Sequence, residues 1–275
     1  MKIHNFSRII AFPFVIWFAV ILYITMETSN YSLSYWIIPP FVIIAVIFIM
    51  APQIDYWWLE RFPVPLDPEA KDWLTKYDPV YPLLSDELKQ KYGTRMSLFL
   101  SGKEFIAMGK KKESVPEDIK LAIAHIGIGM TINRDKYLFE NLDRFIVYKH
   151  PFPSPRFQFL HTVETHVEDG VMVLSLEHLS AAIIDPTSYF HVGHLAFSEV
   201  FIKQNPSVDW SFLEAISWND VESITQFRKE QILSVLGFES YDLFPIVLSC
   251  FFSHREAFKS RLPDASAQLK TIFGF

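Results

Sequence analysis

The chain has 275 residues, half of them hydrophobic and 16% aromatic, which sets disorder aside and leaves room for one large domain or two small ones. A formal net charge of −6 argues against a phosphate-binding surface and so against a nucleic-acid partner; the one basic run, Lys110-Lys111-Lys112, reads as a solvated turn. The single cysteine, Cys250, excludes an internal disulfide, and its run FPIVLSCFF makes it a small buried hydrophobe rather than a nucleophile.

Two apolar stretches come first. Residues 9–26, IIAFPFVIWFAVILYITM, and 35–51, YWIIPPFVIIAVIFIMA, carry no charge over eighteen and seventeen residues. At about 1.5 Å of rise per residue, each is just long enough to cross a hydrocarbon core of about 30 Å. Pro39 and Pro40 stand in the first turn of the second stretch, where a missing amide donor matters least. A cleaved signal peptide is the alternative for the first, but no clear small-residue cleavage site follows it and a second span does. Residues 1–52 are therefore expected to form a transmembrane helical hairpin. Lys2 and Arg8 precede it, Arg61, Lys71 and Lys76 follow it, and the loop ETSNYSLS has no basic residue. That asymmetry predicts an integral membrane protein (of the inner membrane, in a bacterium) with its N-terminus and C-terminal domain cytoplasmic, and Trp57 and Trp58 at the inner headgroup level. A lone thiol suits that compartment.

Residues 53–84 are expected to be a proline-rich juxtamembrane linker, stiff and mostly extended, since 61–82 alone hold five prolines. Residues 85–275 form the cytoplasmic domain. Helical spacing begins after Ser85 with Leu88, Tyr92, Met96 and Phe99. Ser114 and Glu117 spell a capping box ahead of the apolar stripe Ile119, Ala122, Ile123, Ile126 and Met130. Strands follow at 145–149 and 162–169, the second alternating Val163 and Val167 against Glu164, His166 and Glu168. Gly170 turns the chain into a third, VMVLSL. Helices are expected again at 188–204, 212–235, 241–253 and 265–273, which makes the fold class α+β.

The stretch HVGHLAFSE carries the candidate chemistry. His191 and His194, three apart, share a helix face and could offer two imidazoles to a metal, but zinc takes at least three protein ligands. Glu199 lies about 140° around the helix from His194 at about 100° per residue. On residues alone, a buried helix with a polar edge is the simpler reading.

From about Tyr77 onward the chain resembles the Mlc titration factor A family of zinc-dependent peptidases. YDPVYPLLSDELKQKYGTRMSLFLSGKEF is similar to the family's opening, VPEDIKLAIA to its second helix, FIVYKHPFPSP and DGVMVLSLEHL to two strands. DPTSYFHVGHLAFSEVF falls where the family has D-x-x-x-x-N-V-x-x-H-E-F-A-H, and YDLFPIVLSCFFSHREAFKSRLP resembles its late helix. The resemblance implies a zincin-like fold, helices around a small mixed sheet. In the intact family it implies a gluzincin site: two histidines of H-E-x-x-H and a late glutamate on zinc, with the intervening glutamate activating the bound water.

Aligned on Val192 and Phe197, Leu195 takes the first histidine's place, Ala196 the catalytic glutamate's and Glu199 the second histidine's. Aligned on Phe251 and Phe252, Ser249 takes the third ligand's. Shifting by one to use His194 leaves Leu195 at the base and Ser198 at a ligand, which repairs little. No catalytic residue, bound metal or cofactor is therefore expected. The resemblance implies a membrane-anchored pseudopeptidase whose former active-site groove, with Glu164, His166 and Phe197 as candidate lining, takes a protein or peptide partner. Exposed strand residues are the simpler reading of Glu164 and His166. The alternative is an active zinc metallopeptidase using His191, His194 and Glu199; a scaffold in a membrane complex is a third reading.

Overall fold

The computed structural model describes residues 6–28, 31–78, 80–109 and 114–275, so Lys2 and the lysine run at 110–112 lie outside the described residues. The chain divides into two units, Met1–Pro65 and Leu66–Phe275.

In the first unit, α1 (Phe6–Thr28), a 3-10 segment (Tyr31–Ile37) and α2 (Ile38–Ile49) correspond to the two apolar stretches, and α3 (Ala51–Arg61) follows. Pro39 and Pro40 sit in the first turn of α2. Two segments, Phe6–Thr28 and Ser32–Ile49, are long and apolar enough to cross a membrane. Only 6% of the apolar window in α1 is buried, whereas a core helix of a soluble protein would bury most of it. Asp55 of α3 accepts from the backbone N–H of Ser7 at 2.7 Å and from its hydroxyl at 2.9 Å, placing a carboxylate at the positive end of α1. Phe6 stacks on Trp58 with ring centroids 3.7 Å apart.

The second unit is α+β. Its sheet has the order β1-β2-β4-β3, where β1 is Glu104–Met108, β2 Arg144–Tyr148, β3 Val163–His166 and β4 Val171–Ser175. The first three neighbours run parallel; β3 is antiparallel to β4 and ends the sheet. Around it lie α4 (Pro68–Tyr77), α5 (Asp86–Gly102), α6 (Glu117–Thr131), α7 (Leu176–Ile184), α8 (Val192–Gln204), α9 (Trp218–Thr225), α10 (Lys229–Leu236), α11 (Leu243–Ser253), α12 (Arg255–Arg261) and α13 (Pro263–Phe273). α8 packs against α6, α11 and the sheet. At its centre Phe197 meets Phe99, Phe139 and Phe145, with centroids 6.4, 4.9 and 5.9 Å away. Gly127 makes room for that ring: a Cβ there would lie 2.9 Å from Phe197 Cε1.

Several expectations need correction. The proline-rich stretch is not extended throughout: α3 and α4 take up most of it on either side of 63–67, because Pro52 and Pro68 fall in first turns where no hydrogen bond is lost, and a 3-10 turn, Tyr81–Leu83, lies near its end. Ser114 does not cap α6: Pro116 is extended, so the helix starts at Glu117, too late for that box. β1 went unread, its residues set by parallel pairing with β2. The run VMVLSL stops being a strand at Ser175, and α7 begins at Leu176. The single helix expected over 212–235 breaks at Gln226, which adopts a left-handed conformation between α9 and α10.

Candidate functional site

α8 has almost no wet face. Leu195, Ala196, Ser198 and Val200 are fully buried, as are Ser249 and Cys250 on the neighbouring α11. A helix apolar nearly all round is a core helix. Its start is capped by His191, whose Nδ1 accepts the His194 N–H at 3.2 Å. Near its end Glu199 reaches a groove and is engaged there. Lys203 Nζ lies 2.6 Å from Oε1, and Tyr241 donates its hydroxyl to Oε2 at 2.8 Å. Burial and the Glu199 charge hold the Tyr241 phenol well above its ordinary value, so it remains a donor.

The residues at the positions assigned by the resemblance do not fit zinc. Leu195 and Ala196 carry no donor atom, and Ser249 offers a neutral hydroxyl that is buried without a hydrogen-bond partner. Glu199 could coordinate but already holds a cation and a phenol. Among the described residues no group of three or more His, Cys, Asp or Glu side chains is arranged to hold a metal ion. Nor does the fold bring together the alternative set: His191 and His194 line one cavity and Glu199 another. Burial pushes His191 down to about 3 and holds His194 well below the ordinary imidazole value, so both rings are neutral at pH 7.

The groove at Glu199 has a volume of about 840 Å³. One wall is the terminal strand of the sheet through Val163, Glu164 and Thr165; another is the aromatic group Phe157, Phe159, Phe238 and Tyr241. Phe157 and Phe159 meet Phe238 edge-on, with centroids 5.1 and 5.4 Å away. Two of these rings come from the proline-interrupted stretch PFPSPRFQFL, whose aromatic spacing was a signal in the sequence. Tyr241, Phe238, His161 and Lys203 were missed, since nothing local links them to Glu164 or Glu199.

Of the three predicted groove residues, Glu164 lines this groove, His166 lines a smaller cavity of about 240 Å³ across the strand, and Phe197 belongs to the aromatic core. Glu164 is not the exposed residue that alternation predicts: it is 4% exposed and lies 3.2 Å from His161 Nε2 and 2.9 Å from His166 Nε2. Loop 157–161 covers that strand face, and the two imidazoles meet the carboxylate that it buries. Thr165 Oγ1 is buried with no partner.

Residues 57–193, just under half of the chain, match the family model described as glucose-regulated metallo-peptidase M90. The match ends at Gly193, two residues before Leu195. No curated protein matches the chain.

Proposed function

We propose that this chain, whose residues 57–193 match the family model of glucose-regulated metallo-peptidase M90, is a non-catalytic member of that family, tethered to a membrane by its first unit and binding a protein or peptide partner in the groove at Glu199. One observation supports the reading: Leu195 and Ala196, which the alignment by resemblance puts at a ligand and at the general base, are both fully buried. Hydrolysis by zinc needs an open coordination position and a base, and neither has a donor here.

The groove suits an extended chain. β3 pairs on one side only, so its outer edge can accept a peptide as a further strand, with the aromatic wall taking alternate side chains. The charge pattern of Arg8 and Arg61 about the two apolar helices supports a cytoplasmic placement of the second unit.

The test uses the full chain purified in lipid nanodiscs. Zinc measured by elemental mass spectrometry after dialysis is expected far below one per chain. Near-stoichiometric zinc that disappears in His191→Ala or Glu199→Ala would overturn the reading. Peptides selected from a random library are expected to slow amide exchange over 162–167; binders that protect only other segments would remove the groove from the proposal.

A further inference from the structure

At the opposite end of α8 from the groove lies a second cavity, of about 550 Å³, which shares no lining residue with the first. That volume is within the range of about 300–1,000 Å³ typical of small-molecule sites. Much of its wall is apolar, including Val80, Leu84, Leu88, Ile126, Ile132 and Phe252. Its polar groups include residues from five separate segments: Asp78 after α4, Tyr92 on α5, His125 on α6, His191 and His194 at the start of α8, and Arg255 opening α12.

Three of these are mutually engaged. Tyr92 Oη lies 2.7 Å from His125 Nδ1 and donates to the His125 carbonyl at 3.1 Å, and Asp78 Oδ2 lies 3.4 Å from the same Nδ1. Asp78 Oδ1 accepts the Val80 N–H at 2.8 Å, so its carboxylate is occupied. The other three are open. His191 accepts the His194 N–H through Nδ1, which leaves its proton on Nε2 as a donor. His194 Nδ1 is buried with no hydrogen-bond partner. Arg255 makes no ion pair among the described residues, and its guanidinium lies 5.4 Å from the centroid of the Phe275 ring. Glu256 also lines the cavity.

Arg255 is exposed and lines the cavity without an ion pair, although the Asp78 charge acts on it and Glu256 lines the same wall; beside neutral imidazoles and aliphatic wall, its guanidinium suits an occupant with an anionic head and an apolar body. We propose that this cavity binds a small amphipathic carboxylate, its tail against the apolar wall and its carboxylate on Arg255, with His191 Nε2–H as a second donor. The site is independent of the groove and of whether the chain is a peptidase.

The experiment titrates decanoate, decanol and decylamine separately into the full chain in zwitterionic nanodiscs and follows amide exchange, with unbound discs as the reference for partition into lipid. Decanoate is expected to slow exchange saturably over 119–132 and 190–196, half-saturating about ten-fold below decanol. Arg255→Gln should weaken decanoate by about ten-fold and leave decanol unchanged, whereas Arg255→Lys should stay within a few-fold. Ile183→Trp, which puts an indole into the cavity, should abolish both. Absence of localised protection by any probe would overturn the site. Protection by decanol or decylamine equal to decanoate, or indifference to Arg255→Gln, would overturn the carboxylate assignment.

Discussion

The buried imidazoles at the start of α8 make the second unit acid-labile in a way that one substitution can isolate. His191 is 7% exposed and its value in the fold is pushed down to about 3, chiefly by burial and then by the charges of His125 and His254 nearby. In the unfolded chain it titrates at about 6.5. A depressed imidazole contributes no penalty above pH 6.5; as pH falls below that, the unfolded state takes up a proton that the folded state refuses. Stability therefore drops between about pH 6.5 and 3 at about 1.4 kcal/mol per pH unit for this one group. At pH 4.5 the loss is about 2.7 kcal/mol, a large part of the 5–15 kcal/mol that holds a typical domain together. His194 is shifted in the same direction and adds to it.

His191→Asn removes the titration and keeps the cap, since asparagine is among the best residues to accept the His194 N–H. Pulse proteolysis in urea on the full chain in nanodiscs, from pH 7.5 to 4.5, reads the difference. The variant is expected within about 1–2 kcal/mol of the parent at pH 7.5. Below pH 6.5 the gap should move in its favour by about 1.4 kcal/mol per unit. Parallel profiles would refute the burial argument, and a steeper loss in the variant would show that the imidazole is protonated in the fold.

Tyr241→Phe removes a hydrogen bond to a charged acceptor and is expected to cost about 1.5–3 kcal/mol, with most of it absent in a Glu199→Gln background; a double-mutant cycle by urea denaturation checks both. Gly237→Ala should cost about 2–4 kcal/mol by the same measurement, because Gly237 has φ +83° and a Cβ there would overlap the Leu160 carbonyl and lie 2.8 Å from His161 Cα. Combining Leu195→His, Ala196→Glu, Glu199→His and Ser249→Glu places polar groups at three fully buried positions, so the chain should be proteolysed rapidly without zinc. Rescue by micromolar zinc would support the alignment at these positions; a variant stable without metal would refute their burial.

The parts readable in the sequence are those set by local physics. Apolar length marked α1 and α2, the 3.6-residue period marked the buried stripe of α6, and turn chemistry marked Gly170, which adopts φ +67°. That Leu195 and Ala196 carry no donor atom was legible too, because that needs no coordinates. Glu164 misled, since alternation gives which face of a strand a residue is on but not whether a loop covers that face. The rest was decided by contacts between residues far apart in the chain. Glu199 meets Tyr241 across 42 positions, and Tyr92 meets His125 across 33. Only the tertiary structure separates His191 and His194 from Glu199, although nine residues span all three. A helix buried through its middle keeps its polar ends apart, so one short stretch serves two cavities.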